Sequence, residues 1–253
     1  MRDMKIGLLL LSQAEEGNVD AMVNWASWRC VLNSDFPLTN DEIKRVIEYY
    51  TAGMMAEIPV AFSNLGKMYY DGEYVEQNYE KALELFTKAA DLGDTRAACK
   101  LGNCYYSGEH CNLDLEKAFK FFVSAALIDS NCEAFCMLGD MYLNGQFVDK
   151  HEDTAYALYC KAEENITEDD SDVVKSNIYM RVGECKLNGI GCNIDLFEAL
   201  EKLTKAQKMC YREFAVKNDN TQAKFDKIEA LIFETKAVLN EKLGVVSNDD
   251  VLM

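Results

Sequence analysis

The sequence predicts an all-α solenoid of stacked antiparallel helix hairpins, and three observations carry that expectation. The first is a short phrase that recurs four times: Leu65-Gly66 with Tyr69 and Gly72, Leu101-Gly102 with Tyr105 and Gly108, Leu138-Gly139 with Tyr142 and Gly145, and Val182-Gly183 with Lys186 and Gly189. Successive copies stand 36, 37 and 44 residues apart, a period typical of units too small to bury an apolar face without neighbours. Second, apolar residues fall at helical spacing on two successive stretches of a unit. Ala97, Leu101 and Tyr105 mark one, and Ala118, Phe122, Ala125 and Ala126 the next. Third, only 2 of 253 residues are proline and 27% are charged, which suits helices with polar outer faces.

The elements follow in order. The segment KIGLLLLSQAEEGNVDA aligns with KALELFTKAADLGDTRA at a constant offset of 76, so residues 1–18 read as the second helix of a hairpin, a half-repeat. A degenerate repeat spans 19–57, with Ala21, Trp25 and Ala26 in the Ala, Leu and Gly places. Its turn is lengthened by NSDFPLTN, and Thr39 or Asn40 is placed to cap the helix that runs through Tyr50. Repeats follow over 58–93, where Pro59 suits the first helical turn, and over 94–130. There Gly102 sits mid-helix at a cost of about 1 kcal/mol against Ala, which implies a helix–helix approach too close for a side chain. Gly108 ends that helix, and Asp114 caps the next, with Glu116 in its first turn. The repeat at 131–171 carries an acidic insertion, EENITEDDSDVV, read as a loop or a helix extension, and a further repeat covers 172–216. Asn220 to Leu243 reads as one amphipathic helix with Phe225, Ile228, Ile232 and Leu239 on one side. The segment 217–243 is therefore assigned as the end cap that such arrays require, followed by a flexible tail at 244–253.

On these residues the chain resembles the Sel-one-like repeat (SLR) family, relatives of the tetratricopeptide repeat. The matching positions are Ala61, Leu65, Gly66, Tyr69, Gly72, Val75, Lys81, Ala82, Lys88, Ala89, Ala90 and Gly93 in one unit. In the next they are Ala97, Leu101, Gly102, Tyr105, Gly108, Asp114, Lys117 and Ala118, and later Gly189, Gly191, Asp195 and Ala199. Tyr74 and His110 depart from the second Gly, Asn78 and His151 from the Asp, and Lys186 from the Tyr. The resemblance implies a right-handed superhelix of about twelve helices. It also implies a non-catalytic adaptor or scaffold that holds a peptide or helical segment of another protein in a concave groove. In tetratricopeptide relatives that groove is lined by first-helix positions just off the core ridge. Carried onto this chain, these are Cys30, Val60, Ser63, Lys67, Tyr70, Arg96, Asn103, Tyr106, Asp140, Leu143, Glu184 and Leu187, with Cys99, Glu133, Cys136, Asn177 and Met180 beside them. Cys30, Tyr70, Tyr106, Leu143 and Leu187 would form one apolar column, the composition of an interface anchor.

The formal charge of −17 disfavours nucleic acid and anionic membranes and would steer a basic protein towards the surface. The alternative reading is therefore an immunity or inhibitor protein that occludes a basic toxin or enzyme, as some bacterial SLR proteins do. The same charge favours a monomer. The apolar run from Ile6 to Leu11 is too short for a membrane span and lacks a cleavage site after it, so a cytoplasmic location is expected. The 10 cysteines read as small apolar core residues. Cys104–Cys111 and Cys185–Cys192, each seven apart, leave a disulfide conceivable. No cofactor or metal is expected: His110 and His151 are the only histidines, and no C-x2-C pair accompanies them. An unrecognised thiol site is the remaining catalytic alternative.

Overall fold

The computed structural model describes residues 2–31, 37–214 and 220–244. Among them are twelve α-helices and no strand. The assigned tail lies outside the described residues beyond Gly244. The chain divides into two compact units, Met1–Ile128 and Asp129–Met253. The first holds α1 (Arg2–Glu15), α2 (Val19–Val31), α3 (Asn40–Met55), α4 (Pro59–Asp71), α5 (Tyr79–Asp91), α6 (Thr95–Ser107) and α7 (Leu115–Asp129). The second holds α8 (Cys132–Asn144), α9 (Glu152–Glu164), α10 (Asp172–Asn188), α11 (Leu196–Phe214) and α12 (Asn220–Leu243).

Each hairpin is closed by the same local chemistry. Helices α4, α6, α8 and α10 end on Gly72, Gly108, Gly145 and Gly189, all left-handed with φ between 68° and 70°, a conformation that costs a side-chain-bearing residue about 1–2 kcal/mol. Nine residues beyond each Tyr or Lys of the phrase, a capping residue donates its backbone N–H to that residue's carbonyl. The pairs are Asn78 to Tyr69, Asp114 to Tyr105, His151 to Tyr142 and Asp195 to Lys186, each 2.9 Å. The side chains of those four then accept from the next helix: Asn78 and Asp114 from the backbone N–H of Lys81 and Lys117, Asp195 from that of Glu198, and His151 through Nδ1 from that of Thr154. Asn and His thus replace the repeat's Asp without loss of the cap. Thr39 forms a capping box with Glu42 at the start of α3.

The mid-helix glycines meet a partner at a fixed register. A Cβ built on Gly66, Gly102, Gly139 or Gly183 would stand 2.9, 2.5, 2.5 and 2.8 Å from Phe86, Phe122, Tyr159 and Leu203 respectively. Each partner lies 20 residues after its glycine. The degenerate repeat keeps the register with Ala26 and Val46, both fully buried, where a larger residue on the first helix is matched by a smaller one on the second. A second register, 12 residues long, joins the phrase's Tyr to a lysine. Lys81 lies 4.1 Å over the Tyr69 ring and donates to its hydroxyl at 2.7 Å, and Lys117 lies 5.0 Å over Tyr105. In the last repeat both partners are changed, and Lys186 pairs with Glu198 at 2.8 Å.

In the first unit a continuous cluster runs from Val23, Trp25 and Val46 through Phe62, Leu65 and Phe86 to Leu101. In the second unit, Cys132, Cys136, Tyr159, Ile178 and Val182 form one cluster. Leu203, Phe225, Ile228 and Leu231 lie in another, where α12 lays its apolar face on α11. The acidic insertion is partly loop, at 165–171, and partly an extension that lengthens α10 to 17 residues. None of the cysteines is in a disulfide among the described residues.

Candidate functional site

In the first unit, helices α2, α4 and α6 present their outward faces side by side, and two adjoining clefts run between them. The larger, about 340 Å³, is lined by Ser27 and Cys30 of α2, Tyr50 of α3, Val60, Asn64, Lys67 and Met68 of α4, Glu73 and Tyr74 of the following turn, and Arg96 of α6. The smaller, about 270 Å³, shares Asn64, Lys67 and Arg96 and adds Ser63, Phe86, Ala97 and Lys100. The floor is ordered by hydrogen bonds. The Asn64 amide donates to Ser27 Oγ at 2.8 Å, and Tyr50 Oη reaches Ser27 Oγ at 3.5 Å and Cys30 Sγ at 4.0 Å. Burial pushes the Tyr50 phenol and the Cys30 thiol up from their usual ranges, so both stay neutral at physiological pH. The rim is charged and solvated: the side chains of Lys67 and Arg96 are 62% and 70% exposed. Lys67 pairs with Asp71 at 2.7 Å on the same helix, a surface contact worth ~0–1 kcal/mol.

Of the expected groove positions, Cys30, Val60, Lys67 and Arg96 line the larger cleft. Ser63 touches the smaller one, but it is buried and donates to the Asp94 carboxylate at 2.6 Å, so its role is to hold the α6 cap, not to meet a partner. Tyr70 lies outside both clefts, half-buried against Tyr79, Phe86 and His110. Tyr106 packs edge-on to Phe122, and Asn103 is half-buried on the same helix. Sequence reasoning missed Asn64, Ser27 and Lys100, which lie one helical step from assigned positions, and Glu73 in the turn after α4.

The second unit corrects the assignment. Asp140 is buried and accepts from Arg181 Nε and Nη2, both at 2.5 Å, and from Tyr159 Oη at 2.7 Å. The equivalent of the exposed Lys67 is therefore a structural anion. Leu187 is buried in the core, and Leu143 is half-buried against the neighbouring cluster. Glu184 pairs with Lys227 of α12 at 3.1 Å, and Lys224 donates to Ser176 at 3.0 Å. Met180, Cys136 and the first unit's Cys99 are buried as well. The remaining gap between α8 and α10, bordered by Glu133, Cys136, Asn177 and Arg181, measures about 30 Å³, room for one water and not for a side chain. Among the described residues of the second unit, Asp140 and Leu187 are buried, and Arg181 and α12 stand where the expected column would run.

Burial pushes the thiols of Cys132, Cys136 and Cys185 up to about 12 and raises those of Cys104, Cys111 and Cys192. That is opposite to the activation a thiolate nucleophile needs. Among the described residues no group of three His, Cys, Asp or Glu is placed to hold a metal ion, and no helix is long and apolar enough to cross a membrane.

The family model of the Sel1 repeat matches residues 61–94, 95–129, 133–165 and 179–206, together just over half of the chain. No curated protein matches. Among solved structures, a Sel1 repeat protein from Oxalobacter formigenes is similar at 18% identity and a TM-score of 0.63, over 79% of this chain and 77% of its own. The protective antigen c5321 of uropathogenic Escherichia coli, which displays an SLR fold, is similar at 19% identity and a TM-score of 0.57. That match covers 90% of this chain, which spans 56% of the antigen's length. A Sel1 repeat protein from Klebsiella pneumoniae subsp. pneumoniae gives 16% identity and a TM-score of 0.51 over 88% and 99%. At these identities the likeness is one of fold.

Proposed function

Taking as premise that this chain belongs to the Sel1 repeat family, whose members typically act through contacts with other proteins and without catalysis, we propose a specific interaction role. It is an adaptor that holds a segment of a partner protein in the clefts between α2, α4 and α6. The observation that supports this reading most is the pair of adjoining clefts, with Val60, Met68 and Phe86 among polar and charged neighbours. A small apolar patch ringed by polar groups is how interface anchors are composed. A photoreactive amino acid placed at Asn64 should cross-link the partner in cells of the native host, and the same group at Glu84, exposed on α5, should not. Cross-linking from position 84 alone, or from neither, would dismiss the clefts as the site.

The formal charge of −17 favours a second reading, occlusion of a basic toxin or enzyme by the acidic surface away from the clefts. It predicts an association rate that falls steeply with salt and cross-links from position 84.

A further inference from the structure

The charge of the whole chain and the charge of its clefts have opposite signs. Of the residues lining the two clefts, Lys67, Arg96 and Lys100 are cationic, and Glu73 is the one anion. The floor beneath adds no charge, because the Cys30 thiol and the Tyr50 phenol are both held protonated by burial. The three cations come from two adjacent helices, so they border one trough. Arg96 stands 3.9 Å from the buried Asp94 carboxylate, a loose contact, and its own side chain is 70% exposed, so the guanidinium remains open to a second anion. Lys67 already shares its charge with Asp71 at 2.7 Å, and Lys100 lies 5.5 Å over the Tyr70 ring. The cations most open to an incoming carboxylate are therefore Arg96 and Lys100, and against an acid-rich chain they favour an anionic occupant.

We propose that these clefts take an acidic peptide segment, with its carboxylates against Lys67, Arg96 and Lys100 and an apolar side chain seated beside Val60 and Met68. The inference rests on the cleft reading and fixes its chemistry: a partner held here is acidic at the point of contact, whatever the sign of this chain's total charge.

The test uses the full chain and short fluorescein-labelled peptides of alternating Glu and Leu, Gln and Leu, or Lys and Leu, read by fluorescence anisotropy. The Glu peptide is expected to bind best and to weaken as salt is raised. The exposed double variant Lys67→Glu/Arg96→Glu should bind it at least about tenfold more weakly and should turn preference towards the Lys peptide. Lys88→Glu, an exposed change on α5, should leave binding unaltered, and circular dichroism should show the same helicity in all variants. Equal binding of Glu and Lys peptides, no binding of the Glu peptide at ~1 mM, or indifference to the double variant would each overturn the proposal. A partner cross-linked from position 64 alongside a failed Glu peptide would leave the cleft standing and remove its acidic chemistry. Silence at position 64 would remove both.

Discussion

At the scale of single residues, one repeat position shows how far a neighbour decides a role. The residue after the phrase's glycine is Lys67, Asn103, Asp140 or Glu184. Lys67 is solvated, whereas Asp140 is enclosed by the Arg181 fork and the Tyr159 hydroxyl. Burial and the adjoining Asp140 charge push the Tyr159 phenol well up from its usual range, so it remains a donor at any physiological pH. Removing one member of such a cluster strands another. Asp140→Ala should cost about 3 kcal/mol because it leaves the Arg181 charge and the Tyr159 hydroxyl without their acceptor. Asp140→Ala with Arg181→Met, which removes both charges, should cost less than Asp140→Ala or Arg181→Met alone. Urea denaturation of the four chains gives the coupling directly. Additive losses would mean that the three groups do not act as a unit.

At the scale of the element, a hairpin is set by what fits across it. Gly102 lies against the Phe122 ring so closely that a methyl group would need the ring to move. Two effects oppose each other in Gly102→Ala. Helix propensity favours Ala by about 1 kcal/mol, while overpacking a filled interior costs ~1–3 kcal/mol. The distance of 2.5 Å is well inside contact, so overpacking wins and the variant should be less stable. The native pair Ala26 and Val46 shows how the same register tolerates a methyl group when the facing side chain is smaller. Phe122→Leu should therefore recover part of the loss when combined with Gly102→Ala, although alone it leaves unfilled space. Thermal unfolding followed by circular dichroism would decide. A Gly102→Ala chain more stable than the parent would mean that the helices separate at little cost.

At the scale of the whole molecule, the sequence carried the hairpins more fully than the site. Periodic Leu-Gly pairs, a Gly at the end of α4, α6, α8 and α10 and an N-cap six residues on are local signals, and the helices obey them through local bonds. The acidic insertion and the Asn220–Leu243 helix were legible for the same reason. The clefts were not, because whether a first-helix position meets solvent depends on long side chains of the next hairpin. Asp140 and Lys67 occupy one repeat place, and only the reach of Arg181 separates them. The net charge is silent on the clefts for a related reason, since a sum over 253 residues says nothing about the face where Lys67, Arg96 and Lys100 gather. That sum does govern stability. With 43 acidic against 26 basic side chains, charges distributed over the surface repel each other across distances that salt shortens from about 30 Å at 0.01 M to about 10 Å at 0.1 M. Salt also weakens exposed pairs such as Lys67–Asp71 and Lys120–Glu116, but each is worth only ~0–1 kcal/mol, whereas the repulsion is summed over the whole surplus. Raising sodium chloride from ~0.01 M to ~0.1 M should therefore raise the midpoint of thermal unfolding by a few degrees. A midpoint that falls over the same range would show that attractive pairs outweigh the surplus, and that the acid-rich surface is patterned to stabilise the fold.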